Sequence, residues 1–158
     1  MPSEGNWLDL RDLIQKKYPN RNICSCIWGH GAPGIGLVRN ELIKIDKQLF
    51  DACKNDLVVA IETTKNQGFG NRYLNISSGD LGNLELFINY SLDNNTKEFD
   101  QLIETVLKRV LNDCYNDMDN ILPSGFTHSG FMNGLTGVAY QLLRSKYPAS
   151  TPSILTLS

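Results

Sequence analysis

The residues of this chain that could do chemistry are a few thiols, imidazoles and hydroxyls at short spacing. Cys24 and Cys26 are one residue apart, His30 follows four residues later, and the second histidine is His128. Thiolate and neutral imidazole are zinc ligands. Cys-x-Cys with a histidine four residues on is nevertheless not a standard zinc spacing. The plainer reading of Cys24, Cys26, Cys53 and Cys114 is that of small buried apolar residues. Ser77 and Ser78 offer a different chemistry, a hydroxyl nucleophile with His30 as its base and catalytic residue, which needs the groups within hydrogen-bond reach. His30 reads as well as a ring that bonds a backbone carbonyl or faces solvent. His128 lies in a polar Thr-His-Ser stretch and reads as exposed.

Glycine loops would have to position these groups. Trp28 to Arg39 reads WGHGAPGIGLVR, and its Gly31-Ala-Pro-Gly34 is echoed by Gly79-Asp-Leu-Gly82 and by Gly134-Leu-Thr-Gly137. Each is followed by an apolar run of helical period. The spacings, 48 and 55 residues, suit one helical hairpin per repeat. Two glycines three apart share one helical face and let another backbone come close. A loop entering a helix also aims bare N–H groups outward.

The totals narrow the function classes. The chain has 158 residues, 41% hydrophobic and 20% charged, so it reads as one folded domain, residues 1–158. A net charge of -2 implies no general attraction to nucleic acid or anionic membrane. No apolar run approaches the roughly 20 residues of a membrane span. The polar start lacks the build of a secretory signal. Four cysteines are too few here for a disulfide scaffold, so a cytoplasmic protein with free thiols is expected.

In chain order, residues 1–27 form a lead-in with a short helix over Asn6–Lys17, and Asn22–Ile27 is a buried strand or extended stretch. Residues 28–158 hold three glycine-loop/helix repeats. Helices are predicted over Gly34–Ile45, Asp46–Thr64, from the Ser77–Gly82 loop to Leu92, over Lys97–Asp117 and over Asn133–Lys146. Pro123-Ser124-Gly125 breaks the chain before the third loop. Asp80 reads as a charge favourable to a helix start, and Arg39 as a surface or interhelix pair. The short tail Ser153–Leu157 packs back on the body. The pattern is loop, inner helix, outer helix, twice over, then a third loop and helix. That organisation predicts an all-α partial α/α toroid.

The strings Trp28-Gly-His-Gly-Ala-Pro-Gly-Ile-Gly-Leu37, Ser78-Gly-Asp-Leu-Gly-Asn83 and Gly134-Leu-Thr-Gly-Val-Ala-Tyr140, with Pro152-Ser-Ile-Leu, resemble the last part of a lanthionine synthetase cyclase (LanC-like) domain. The closest resemblance is to the C-terminal cyclase domain of class II lanthipeptide synthetases. It covers nearly the whole chain and keeps motif order. It implies an α/α toroid and a zinc enzyme of lanthipeptide (bacteriocin) biosynthesis that closes thioether rings, adding a peptide cysteine to a dehydrated serine or threonine.

The resemblance also implies where zinc would be held: a Cys between the Trp and the His-Gly of the first motif, and a Cys-His pair before the Gly-Asp-Leu-Gly of the second. Those positions are Gly29, Ser77 and Ser78 here. Glycine offers no side chain, and serine hydroxyls are poor zinc ligands. The expectation is therefore a degenerate zinc site with no cofactor, unless Cys24, Cys26, His30 and His128 supply displaced ligands. The chain is expected to be a truncated cyclase segment, not competent alone. It would be one half of a split cyclase with a partner carrying the missing toroid helices, or a non-catalytic module binding a precursor peptide or a partner.

Overall fold

Each glycine motif begins a helix. In the computed structural model, which describes residues 5–19, 21, 23–70, 73–117, 121–122 and 129–157, the elements are α1 (Asp12–Lys17), β1 (Cys26–Ile27), β2 (His30–Gly31), α2 (Ala32–Ile45), α3 (Phe50–Gln67), α4 (Asp80–Asp93), α5 (Asp100–Asn116) and α6 (Leu135–Lys146). Gly31, Gly79 and Gly134 are the N-caps of α2, α4 and α6. Gly79 and Gly134 hold almost the same extended backbone, φ -119°, ψ -176° and φ -118°, ψ -174°. Gly31 has φ 119°, where it also closes the short hairpin in which Cys26 pairs with Gly31 and Ile27 with His30.

The second glycine of each motif stands three residues into its helix. At Gly34, Gly82 and Gly137, a Cβ would collide with the carbonyl oxygen six residues earlier, on Trp28, Ile76 and Phe131 respectively. The bare face thus serves the loop's own backbone, folded onto its helix start. A neighbouring helix enters elsewhere, at Gly36, whose Cα faces Ala60 of α3 and Leu86 of α4.

Among the described residues the fold is all-α apart from that two-stranded hairpin. α4 packs between α2 and α6, while α3 lies against α2 and α5 against α4. Asp80 through Asn89 of α4 are all buried. One apolar cluster joins Leu84 and Ile88 to Val106, Val110 and Val138. Another joins Leu86 and Phe87 to Leu57, Ile61 and Phe99, with Phe87 and Phe99 edge to face at 4.9 Å.

Several boundaries differ from expectation for local reasons. Only Asp12–Lys17 of the first predicted helix is helical, and none of it is buried. The preceding residues are diverted because Asp9 N–H bonds the Ile23 carbonyl at 2.8 Å, while the Asp9 carboxylate accepts from the Arg11 N–H and guanidinium. α2 begins at Ala32, with Pro33 in the first turn, where its missing N–H costs nothing. Lys47–Leu49 is a 3₁₀ turn, so α3 starts at Phe50 and runs on to Gln67. α5 starts at Asp100 and α6 at Leu135. The tail is held in part: Ser153 is buried, Pro152 O accepts from the Tyr140 hydroxyl, and Leu157 is exposed. Pro123-Ser124-Gly125 and His128 lie outside the described residues.

Candidate functional site

The three loops meet through equivalent peptides. Gly29, Ser77 and Met132 each stand two residues before an N-cap glycine. Gly29 N–H donates to Ser77 O at 3.2 Å, and Ser77 N–H donates to Met132 O at 3.0 Å. A Cβ on Gly29 would lie 3.1 Å from Ser77 O, so a side chain there would press on the second loop.

Asn75 shapes the second loop from inside. It is fully buried. Its Oδ1 accepts from the Ser78 N–H at 3.0 Å and from the Ser78 hydroxyl at 3.1 Å, an Asx turn. Its Nδ2 donates to Asn133 Oδ1 of the third loop at 3.2 Å. The Ser78 hydroxyl is thereby given to an amide oxygen and not to a base. Asn83 of the same motif donates from Nδ2 to Cys26 O at 2.9 Å and Gly68 O at 2.6 Å, tying α4 to β1 and to the end of α3.

His30, on β2, lines a separate groove of about 360 Å³ with Trp7, Asp9, Arg11, Ser25 and Ile35. The Arg11 guanidinium bonded to Asp9 holds that carboxyl down at about 2. The Cys26 thiol points instead at the Thr63 carbonyl of α3, at 3.9 Å, and burial pushes it up to about 11. Cys53 is buried in α3. Cys114 belongs to α5, where burial and then Asp113 raise its thiol. Among the described residues, no group of three or more His, Cys, Asp or Glu is placed to hold a metal ion.

Two charged contacts went beyond the sequence reading. Asp80, at the first position of α4, is fully buried, pairs with Arg109 of α5 and accepts from the Gly70 N–H at 3.2 Å. Helix-start electrostatics is therefore only part of its role. Arg144 of α6 is buried against Glu85 of α4, Nε to Oε1 at 3.1 Å, and also bonds Asn89 Oδ1 at 2.6 Å. Its remaining donors reach the carbonyls of Pro148 and Thr151, and Gln141 bonds Glu85 as well. Arg39 of α2 pairs with Asp56 of α3 at 3.0 Å, so it is an interhelix contact. At the far end of α4, Asp93 is met from α2 by Asn40 at 2.6 Å and Lys44 at 3.0 Å.

Glycine-capped helices in a row, backed by outer helices and joined at their loops, define a helical-hairpin repeat protein. Residues 1–156 match the family model for the lanthionine synthetase C-like protein, and the chain belongs to that LanC-like family. No curated protein and no solved structure matches it. The family generally binds zinc. Where Gly29 and Ser77 touch, this chain presents a glycine and a serine, and the adjacent Ser78 hydroxyl is turned to Asn75. That donor set lacks the thiolates and imidazole zinc requires, so the residues present do not fit the metal and no chemical step runs through it.

Proposed function

We propose that this chain is a LanC-like segment of the lanthipeptide line, nearest to the C-terminal cyclase part of class II synthetases, that does not close thioether rings by itself. The observation that carries this reading is the convergence of Gly29 and Ser77, at 3.2 Å between backbone N and O, with neither side chain able to bind zinc. The frame of the site is kept and its ligands are not. On this reading the protein is cytoplasmic, and its partner is a precursor peptide or a chain bearing further toroid helices. Among the described residues no helix is long and apolar enough to cross a membrane.

Elemental analysis of the purified chain is the test, together with incubation with a dehydrated, cysteine-containing peptide. The expected result is no stoichiometric zinc and no loss of peptide thiol to alkylating reagent. Restoring Gly29→Cys, Ser77→Cys and Ser78→His together is expected to create zinc binding. Stoichiometric zinc in the unaltered chain would overturn the reading and make Cys24, Cys26 and His30 the site.

A further inference from the structure

Two grooves of this fold are the same groove one repeat apart. One lies between α2, α3 and α4, the other between α4, α5 and α6. Aligned on their N-cap glycines, α2, α4 and α6 set Ile43 on Ser91 and Tyr90 on Ser145. Aligned on their buried faces, Cys53, Ala60 and Thr64 of α3 match Phe99, Val106 and Val110 of the α5 segment, which sets Phe50 on Thr96. The apolar wall is kept: Leu57 and Ile61 of the first groove become Ile103 and Leu107 of the second.

The second groove thus has hydroxyl residues where the first has an isoleucine, a phenylalanine and a tyrosine. The first encloses about 260 Å³ and the second about 490 Å³, which brings the second into the size range of small-molecule sites. Its polar groups are few. Ser145 Oγ donates to Gln141 O at 2.7 Å, and Thr96 Oγ1 accepts from the Glu98 N–H at 3.2 Å. Ser91 Oγ is buried and has no hydrogen-bond partner among the described residues. The rim changes sign. In the first groove Lys54 stands over the Phe50 ring at 5.3 Å, a cation above an aromatic face. In the second the same two positions are Asp100 and Thr96, a carboxylate beside open space. Glu104 and Lys97 share that rim, and Glu104 pairs with Lys108 at 2.7 Å.

We propose that the groove between α4, α5 and α6 binds a small aromatic amine, a phenol ring bearing an ammonium arm. The ring lies against Ile88, Ile103 and Leu107, in the space that Phe50 and Tyr90 fill one repeat earlier. Its hydroxyl meets the Ser91 Oγ, and its ammonium meets Asp100, supplying the ring and the cation that the first groove carries within the chain. The site lies along the C-terminal halves of α4 and α6, apart from the glycine loops, so it does not depend on whether the protein binds zinc.

Isothermal titration calorimetry of the full chain with tyramine tests this, with p-cresol as the same ring without the amine. Tyramine is expected to bind saturably at one site per chain, and p-cresol about fivefold more weakly, the scale of one exposed ion pair. Ser145→Tyr and Ser91→Ile each put back the residue of the first groove, and each is expected to weaken tyramine by about tenfold or more, with circular dichroism and urea unfolding to confirm the fold. Asp100→Asn alters an exposed side chain and is expected to leave p-cresol unchanged while removing the advantage of tyramine over it. Absence of saturable binding at millimolar tyramine would overturn the proposal. So would undiminished binding in a folded Ser145→Tyr or Ser91→Ile variant, or an advantage of tyramine that survives Asp100→Asn. The exposed Asp100 variant decides the matter even if neither filled groove folds.

Discussion

Gly29 gives its backbone hydrogen to the Ser77 carbonyl, and Ser77 gives its own to Met132, at 3.2 Å and 3.0 Å. Equivalent peptides of successive repeats are thus linked main chain to main chain. Main-chain links of this kind tolerate changes of side chain, so they hold with glycine at position 29 and serine at position 77.

The frame does depend on its glycines. Gly82→Ala and Gly137→Ala each drive a methyl into a backbone carbonyl that cannot turn aside. Each is expected to cost about 3 kcal/mol or more in urea unfolding. Gly70→Ala is the control: its φ is 84°, but its nearest neighbour is the Arg109 guanidinium at 3.5 Å, so only backbone strain of about 1 kcal/mol is expected.

Breaking the buried pair between α4 and α6 strands a charge. Glu85→Leu leaves the Arg144 guanidinium buried with one fewer anion, at an expected cost of about 3–5 kcal/mol. Arg144→Met is costly too and also frees the carbonyls of Pro148 and Thr151, so limited proteolysis is expected to reach residues 147–157 sooner. The double variant is expected to lose less than the sum, with a coupling of about 2 kcal/mol in a double-mutant cycle.

Acid weakens the N-terminal segment through Asp9. Its carboxyl is lowered from 3.8 to about 2, chiefly by the Arg11 hydrogen bond. A depressed carboxyl adds stability that is present above pH 3.8 and is lost as pH falls through 2. Unfolding curves between those limits are expected to shift more for the unaltered chain than for Asp9→Asn.

Alkaline pH acts through Cys26 in the opposite sense. Its thiol is raised from 9.0 to about 11 by burial, so the folded state keeps a proton that the unfolded chain releases. Stability is complete below pH 9 and falls as pH rises towards 11. Iodoacetamide at mild alkaline pH is expected to label Cys26 about tenfold more slowly in the native than in the denatured protein, read by peptide mass.

Much of this architecture was legible from glycine spacing and apolar period, because both act locally. The three N-caps and the α2, α4, α5 and α6 runs follow from them within a few residues. The first helix was overread: Leu8, Leu10 and Leu13 have helical spacing but are all exposed, and Asp9 bonds across to Ile23 instead. Asn75, Glu85 and Arg144 were missed for a different reason. Apolar periodicity counts only apolar residues, and these polar ones are buried by partners more than 50 residues away. The Asn at four residues before Gly79 was the one local signal, since asparagine there commonly closes a turn.

α4 carries its acidic groups in an order, and each answers to a different neighbour. Asp80 is met by Arg109 of α5, Glu85 by Arg144 of α6, and Asp93 by Lys44 of α2. Helices of similar length and greasiness are otherwise interchangeable to one another during collapse. A chain that seated α6 on the α2 side would bury Glu85 beside no cation and set Arg144 without its carboxylate. The charges along α4 therefore work as addresses, each matched to one neighbouring helix.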